Sequence, residues 1–180
     1  MSTVVGVVVF PGTNCEMDAV EAVDRLGGEV RLLWHGDEDL GGVDAVIVPG
    51  GFAHGDYLRP GAIARFSPVM AGVAAFAAGG GPVLGICNGF QILCEAGLLP
   101  GSLLRNHHLE FRCQWTNLRT ESVDSPFTNA CERGQILQVP VSHGDGNYFA
   151  EPEILEELEQ EGRVLLRYCE PSGAISDDAN

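Results

Sequence analysis

The chain has 180 residues, of which 45% are hydrophobic, and its formal net charge at pH 7 is −15. All ten basic residues are arginine, which excludes a Schiff-base lysine and a P-loop lysine, and no basic face gathers for nucleic acid. No apolar run is long enough to span a membrane. We therefore predict one domain with a proper core that binds neither nucleic acid nor membrane.

The cysteines and the start of the chain indicate a reducing compartment. The first residues lack the basic region of a secretory signal, and none of the six cysteines forms a C-x-x-C pair or lies near a spaced histidine pair. We expect free thiols, no metal site and a cytoplasmic location. The cysteines occupy positions 15, 87, 94, 113, 131 and 169.

The first hundred residues alternate between apolar β-branched runs and helical patterns. This alternation predicts a flavodoxin-like, doubly wound, mostly parallel α/β sheet with helices on both faces. A capping box, Thr13-x-x-Glu16, predicts the start of the first helix, and Ser67-Pro68 predicts a restart within the second. The core side of the first helix is expected to carry Met17, Val20, Val23 and Leu26, with Gly27-Gly28 ending it. The predicted strands are residues 4–10, 30–34, 45–48 and a short run before Gly85. The first predicted helix follows Thr13, the second covers residues 63–78 and the third covers residues 88–96.

The second part of the chain lacks the regular alternation of strands and helices. Residues 112–118 and 136–141 predict strands of a mixed or antiparallel extension, residues 152–161 an acidic helix and residues 164–168 one more strand. A solvated face is the expected role of that acidic helix. We find no linker that would divide the chain into separate domains.

The most informative motif is Gly85-x-Cys87-x-Gly89, which follows the last short strand and precedes a helix. This is the spacing of a nucleophile elbow, with cysteine in place of serine. The helix N-terminus is expected to favour thiolate and lower the pKa of Cys87. A small buried cysteine in an α/β core is the alternative.

Two further glycine-bearing loops follow strand ends and are expected at the same edge of the sheet, where ligands bind in open α/β folds. Backbone N–H groups of Gly50-Gly51 and of Asn88 are expected to stabilise an oxyanion beside Cys87. A tight turn is the alternative explanation for Gly50-Gly51.

Several of these stretches together resemble one family. The chain is similar to the glutaminase subunit of phosphoribosylformylglycinamidine synthase, a class I, triad-type glutamine amidotransferase of purine biosynthesis. The elbow alone indicates the amidotransferase class, whereas PGTNC at 11–15 and GDYLRPG at 55–61 indicate this member. The matching stretches, in family order, are residues 10–15, 49–61, 85–93, 125–129 and 143–146.

The resemblance implies a role for each matched position. Cys87 would attack the side-chain amide of glutamine, Gly51 and Asn88 amides would form the oxyanion hole, and Gln91 would hold the substrate. The ammonia released would pass to a large synthetase subunit that uses ATP and magnesium to convert formylglycinamide ribonucleotide to its amidine. A small accessory subunit commonly completes such complexes, and no cofactor is expected in this subunit.

The resemblance has one departure. The family takes its general base and orienting acid from a C-terminal His-Pro-Glu motif, which residues 1–180 do not contain. We therefore expect a single class I amidotransferase domain over 1–180 that lacks its C-terminal segment. His143, with Asp145 two residues on, is the best substitute base within the chain, and His54 is interpreted as a rim or partner-contact residue. His107-His108 is interpreted as a solvated turn, and Cys15 as structural.

Two other functions compete with glutamine hydrolysis. A DJ-1-like redox or chaperone cysteine protein shares the sheet topology and needs no triad; Glu16 or Asp18 would then supply its acid beside Cys87. That hypothesis explains neither Gln91 nor the GDYLR loop. A non-catalytic subunit that occupies the glutaminase place in a complex is the third hypothesis.

Overall fold

A computed structural model describes residues 2–176 of the chain. The chain divides into two compact units, Met1–Ser102 and Leu103–Asn180. The expectation of one domain over residues 1–180 stays a prediction. Within the described residues, each helix is too short or too polar to cross a membrane.

The first unit is a four-stranded parallel sheet with the strand order β2-β1-β3-β4. This order and the flanking helices confirm the predicted doubly wound, flavodoxin-like fold. Its strands are β1 (Val4–Val9), β2 (Glu29–Trp34), β3 (Ala45–Val48) and β4 (Val83–Gly85), and its helices are α1 (Glu16–Arg25), α2 (Pro68–Ala78) and α3 (Asn88–Glu95). Two short 3-10 segments, Ala53–Asp56 and Ala64–Phe66, precede α2.

The core of this unit lies on the central strands β1 and β3. Val7, Val8, Val46 and Val48 are buried because a parallel sheet is covered on both faces, which is why these strands appear in the sequence as continuous apolar runs. Helices α2 and α3 contribute Val69, Val73 and Ile92, each fully buried. This packing fixes the start of α3, and therefore the elbow, against the carboxyl end of β3.

The start of α1 differs from the prediction. Cys15, and not Thr13, occupies the N-cap position, and no side chain caps the helix. The Thr13 hydroxyl instead accepts a hydrogen bond from the Phe10 N–H at 3.0 Å, because the backbone at residue 15 is held by a bond from the Cys15 N–H to the Gly50 carbonyl at 3.2 Å. The capping box is therefore wrong, and its threonine stabilises the preceding turn.

The buried face of α1 is also narrower than predicted. Ala19 and Val23 are buried, whereas Met17 is 59% exposed and Leu26 89% exposed. The predicted glycine stop is confirmed: Gly27 has φ +79°, and the Gly28 N–H donates to the Val23 carbonyl at 3.0 Å, as in a Schellman motif.

The start of α2 agrees with the sequence in position but not in chemistry. The helix begins at Pro68 after Ser67, as predicted, yet the Ser67 hydroxyl makes no capping bond. It lies 3.4 Å from His54 Nε2 instead.

The second unit consists mainly of antiparallel sheet, which confirms the predicted extension. Strands β6 (Arg112–Thr120), β7 (Ile136–His143) and β9 (Leu166–Cys169) pair in the order β7-β6-β9. The acidic helix is α4 (Pro152–Gln160), and Arg163 and Arg167 pair with its glutamates. Two three-residue strands that the sequence did not indicate, β5 (Ser102–Leu104) and β8 (Asn147–Phe149), form a separate pair.

Candidate active site

The turn between β4 and α3 is a sharp elbow with Cys87 at its apex. Cys87 has φ 50° and ψ −110°, a conformation that a residue with a Cβ rarely adopts, and α3 begins at the next residue. The turn is held by bonds from the Ile86 N–H to the Val48 carbonyl at 3.0 Å and from the Gly89 N–H to the Ile86 carbonyl at 2.8 Å. Strain of this kind persists only where surrounding structure imposes it, and it is common at reactive residues.

The two glycines of the motif are required by packing. A Cβ on Gly89 would lie 1.8 Å from the Val48 carbonyl oxygen, and a Cβ on Gly85 would lie 2.9 Å from backbone atoms of Gly89 and Phe90. The strand and the helix therefore approach each other more closely than any side chain allows. The spacing in the sequence is a consequence of this contact.

Gly50 and Gly51 lie beside the elbow, as the sequence predicted. A Cβ built on Gly50 would be 3.5 Å from the Cys87 Cβ and 3.6 Å from the Cys15 sulfur. Gly51 has φ +142°, and a Cβ there would lie 2.5 Å from the Asn14 nitrogen. The close approach of this loop to the loop after β1 therefore requires glycine at position 51, whereas the contacts at Gly50 are ordinary van der Waals distances.

The N–H of Gly51 is not used by the contact between these loops. Thr13 and Gly51 form an isolated antiparallel bridge, whose two bonds run from the Asn14 N–H to the Gly50 carbonyl and from the Phe52 N–H to the Gly12 carbonyl. Both bonds flank Gly51, so its own N–H stays outside the bridge. A donor in this position is what the predicted oxyanion role requires.

Asn88 is the most buried polar group near Cys87, at 2% exposure. Its backbone N–H donates to the Cys87 sulfur. Its side chain accepts from the Ala53 N–H at 3.0 Å and donates both to Asp56 Oδ1 at 3.0 Å and to Gln91 Oε1 at 3.1 Å. The structure thus joins the predicted residues Asn88 and Gln91 in one network.

The pKa of the Cys87 thiol is raised, contrary to the expectation from the helix N-terminus. Loss of solvent around the sulfur raises the pKa most, the bond from the Asn88 N–H lowers it, and the Asp56 carboxylate raises it. Desolvation and a nearby negative charge therefore outweigh the helix end. In this state the thiol is held as the neutral acid.

Asp56 is the residue near the nucleophile that the sequence did not assign. Its carboxylate both bonds Asn88 and acts electrostatically on Cys87. The run GDYLR carried it into the resemblance, but no spacing rule connects position 56 with position 88. Only the folded loop brings them together.

Cys15 lies on the other side of Gly50. Burial raises the pKa of its thiol most, followed by the negative charge of Asp18, whose side chain is also hydrogen-bonded to it. This environment agrees with a structural cysteine. It also shows that Asp18 is directed at Cys15.

The histidines are found in three places. His54 packs edge-on against His35 at 5.3 Å, and burial, with the neighbouring His35, lowers the pKa of His54. His107 and His108 lie in an exposed turn of the second unit. His143 Nδ1 is 2.9 Å from Asn106 Oδ1, an interaction within the second unit. A substitute-base role for His143 stays a prediction.

The fold and the elbow define the class of protein. A parallel sheet that presents a cysteine elbow beside a glycine-rich donor loop is typical of a glutamine amidotransferase, and a family model described as "CobB/CobQ-like glutamine amidotransferase domain" matches residues 2–180. A phosphoribosylformylglycinamidine synthase subunit PurQ from Rubrobacter xylanophilus is 61% identical over 176 residues, 97% of this chain and 80% of that protein. The chain therefore belongs to the PurQ family of glutaminase subunits of phosphoribosylformylglycinamidine synthase.

Two further comparisons agree with this family. The same subunit from Salinibacter ruber is 56% identical over 181 residues, which cover 100% of this chain and 77% of that protein. The solved structure of PurLQS from Thermotoga maritima matches with a TM-score of 0.86 and 41% sequence identity, over 94% of this chain and 76% of that chain.

Proposed function

We propose that this chain hydrolyses glutamine to glutamate and ammonia through a thioester on Cys87 and supplies the ammonia to a synthetase subunit. The synthetase uses ATP and magnesium to convert formylglycinamide ribonucleotide to formylglycinamidine ribonucleotide. The observation that supports this most is the strained elbow at Cys87 with donor N–H groups on both sides, in a chain that is 61% identical to a PurQ subunit.

The chemistry follows from the placement of these groups. The Cys87 thiolate attacks the side-chain carbonyl carbon of glutamine, and the carbonyl electron pair moves to the oxygen. The N–H groups of Gly51 and Asn88 then donate to this oxyanion, each contributing about 3 kcal/mol in comparable sites. Collapse expels ammonia once its nitrogen has gained a proton, and water then attacks the thioester to release glutamate.

The raised pKa of Cys87 makes proton transfer a central requirement. A base within hydrogen-bond reach of the sulfur must take the thiol proton and later return it to the leaving nitrogen. The resemblance assigns this role to a His-Pro-Glu motif, which the present 180 residues do not contain. In that arrangement the Cys87 thiol is the proton donor.

Both units would act together as one amidotransferase domain in a complex with the large synthetase subunit and a small accessory subunit in the cytoplasm. No cofactor is assigned to this subunit. The similar structure from Thermotoga maritima is that of PurLQS, which supports a complex with further subunits.

A Cys87→Ala variant tests the nucleophile. In the full-length subunit assembled with its synthetase, glutamine-dependent synthesis should fall by more than about a thousandfold, because no thioester can form. Ammonia-dependent synthesis should be unchanged, since it bypasses the glutaminase site. Cys113→Ser is the matched control, because Cys113 is also exposed and has no proposed role. Glutamine-dependent turnover that survives in Cys87→Ala would overturn the assignment.

The DJ-1-like alternative is not favoured by the position of the acids. Asp18 and Glu16 act on Cys15, whereas the carboxylate that acts on Cys87 is that of Asp56. An acid from the first helix is therefore not the partner of the nucleophile.

A further inference from the structure

Two cysteines border one gap beside the elbow. The position that a Cβ on Gly50 would fill lies 3.5 Å from the Cys87 Cβ and 3.6 Å from the Cys15 sulfur. Outside residues 49–51, the next nearest atom is the Ile86 carbonyl oxygen, at 3.7 Å. Because glycine leaves this position empty, the side chains of Cys15 and Cys87 approach the same space from two different loops.

The backbone of the first unit holds the two cysteines at this gap. The Cys15 N–H donates to the Gly50 carbonyl at 3.2 Å, and the Ile86 N–H, next to Cys87, donates to the Val48 carbonyl at 3.0 Å. Cys15 occupies the N-cap position of α1 and Cys87 that of α3, and the Cys15 side chain makes no capping bond. The proximity of these residues is therefore a property of the fold, although they are far apart in the chain.

The Cys15 thiol has a carboxylate beside it. The Asp18 side chain accepts its hydrogen bond, and Cys87 acts on it electrostatically, which agrees with the gap that the two cysteines share. Cys15 is half-buried and Cys87 is exposed, so a small oxidant meets Cys87 first. No step of the proposed glutamine hydrolysis uses Cys15 or Asp18.

We propose that Cys15 is a resolving thiol for Cys87 and that the two form a site of reversible oxidation by peroxides. In the first step the Cys87 thiolate attacks one oxygen of the peroxide, and the O–O bond breaks. The sulfur loses two electrons to the peroxide and becomes a sulfenic acid, while the other oxygen leaves as water after taking up the thiol proton.

The second step closes a disulfide. The Cys15 sulfur attacks the Cys87 sulfur, the S–O bond breaks, and hydroxide leaves as water with the proton that Asp18 accepts from the Cys15 thiol. A disulfide holds its two Cβ atoms about 3.8 Å apart. The loop after β1 therefore closes towards the elbow across the gap, which a side chain at position 50 would occupy.

The disulfide has a consequence for the activity. Cys87 cannot attack glutamine while its sulfur is bonded to Cys15, and a dithiol that reduces the bond restores both thiols. The disulfide also keeps Cys87 from the sulfinic acid, which dithiols do not reduce. The effect on glutamine rests on the proposed function, whereas the disulfide itself requires only the two thiols and a peroxide.

Peptide mapping of the parent tests the disulfide directly. The full-length subunit is treated with hydrogen peroxide, the excess is removed with catalase, free thiols are blocked, and the digest is analysed by mass spectrometry without reduction. We expect the peptides of Cys15 and Cys87 to be linked, and the link to disappear after dithiothreitol. Oxidised Cys87 with Cys15 still reduced would overturn the proposal, as would a link from Cys87 to another cysteine.

A Cys15→Ser variant tests the protective role. The variant and the parent are oxidised as isolated subunits, reduced with dithiothreitol and assembled with untreated synthetase. The parent should regain most of its glutamine-dependent synthesis, whereas Cys15→Ser should regain at least about fivefold less, because its Cys87 passes on to sulfinic acid. Cys113→Ser, at an exposed cysteine of the second unit, is the matched control and should recover like the parent.

The remaining outcomes separate this proposal from the proposed function. Ammonia-dependent synthesis before oxidation reports whether each variant assembles, and the mapping of the parent decides the question even where Cys15→Ser does not fold. Equal recovery of Cys15→Ser and the parent would overturn the resolving role. A parent that forms the disulfide but never uses glutamine would overturn the proposed function and leave the resolving role of Cys15 standing.

Discussion

The reactivity of Cys87 is set by opposing influences on a single sulfur atom. The Asn88 N–H stabilises the thiolate, whereas desolvation and the Asp56 carboxylate favour the thiol, and the pKa is raised as a result. A thiol held neutral needs a base at the moment of attack, and it reacts more slowly with alkylating agents and oxidants than a thiolate does. Activation is then tied to the arrival of substrate and base.

This balance predicts the pH dependence of labelling. The rate of Cys87 alkylation by iodoacetamide should rise with pH and reach its midpoint above that of an unstructured cysteine peptide. Asp56→Asn should move this midpoint to lower pH, because a negative charge that disfavours the thiolate is removed. Mass spectrometry of the Cys87 peptide measures the rate separately from the exposed Cys113. A midpoint that moves to higher pH in the variant would contradict this account.

At the scale of residues, the sequence was informative wherever a role follows from local spacing. Cys87 lies between Gly85 and Gly89 because the strand and the helix approach each other closely there. This close approach requires glycines near Cys87 in the sequence, so the motif can be recognised without the structure. Asp56 could not be assigned in this way, because its role depends on a contact with Asn88 made only after folding. The direction of the Cys87 pKa shift was wrong because desolvation is a property of the packed site.

Among the elements, α3 owes its position against β3 to the glycine at its second residue, Gly89. The Gly89 Cα faces the Val48 carbonyl at the end of β3, and this contact determines how the helix leaves the elbow. Any added atom must move either the helix or the central strand. Both belong to the buried core.

Gly89→Ala should therefore destabilise the first unit by about 3 kcal/mol, since its Cβ would lie 1.8 Å from a backbone oxygen that cannot move freely. Urea unfolding followed by circular dichroism measures the change in free energy of unfolding. Gly27→Ala is the matched control: nothing lies within 4 Å of its Cβ, and only its φ of +79° is unfavourable. A cost of about 1 kcal/mol is expected there. Equal costs for the two variants would show that the contact with Val48 is unimportant.

The elements that the sequence predicted well are those whose burial determines their pattern. Strands β1 and β3 and helix α2 supply buried core residues and appear as apolar runs, whereas β5 and β8, with three residues each, are too short to show a periodic pattern. The α1 cap was wrong for a different reason. Thr13 has the residue type of a cap, but the bond from Cys15 to Gly50 delays the start of the helix.

For the whole molecule, charge is the dominant property. The 25 acidic residues outnumber the ten arginines, which leaves a net charge of −15 even where the arginines pair well, as Arg59 does with both oxygens of Glu95 at 2.6 and 2.7 Å. Self-repulsion of this size keeps copies apart in solution and opposes compactness.

Added salt should consequently stabilise the chain. Raising sodium chloride from about 10 to about 150 mM shortens the Debye length from about 30 to about 8 Å, which screens the repulsion among surface carboxylates. We expect the melting temperature to increase by a few degrees, as measured by differential scanning fluorimetry. Potassium chloride should give the same increase, since the effect is screening. A melting temperature that falls with salt would mean that the ion pairs outweigh the repulsion.

The bridge between Thr13 and Gly51 has a consequence for how such a sequence can change over generations. A Cβ at position 12 would lie 2.4 Å from the Phe52 carbonyl oxygen, so this position requires glycine. A Cβ at position 51 would lie 2.5 Å from the Asn14 nitrogen, so this position requires glycine as well. Each loop thus restricts the residue type at one position of the other, although the two loops are far apart in the chain. A side chain cannot be added at position 12 or 51 while the opposite loop keeps its place. Substitutions that change specificity are therefore expected at other positions.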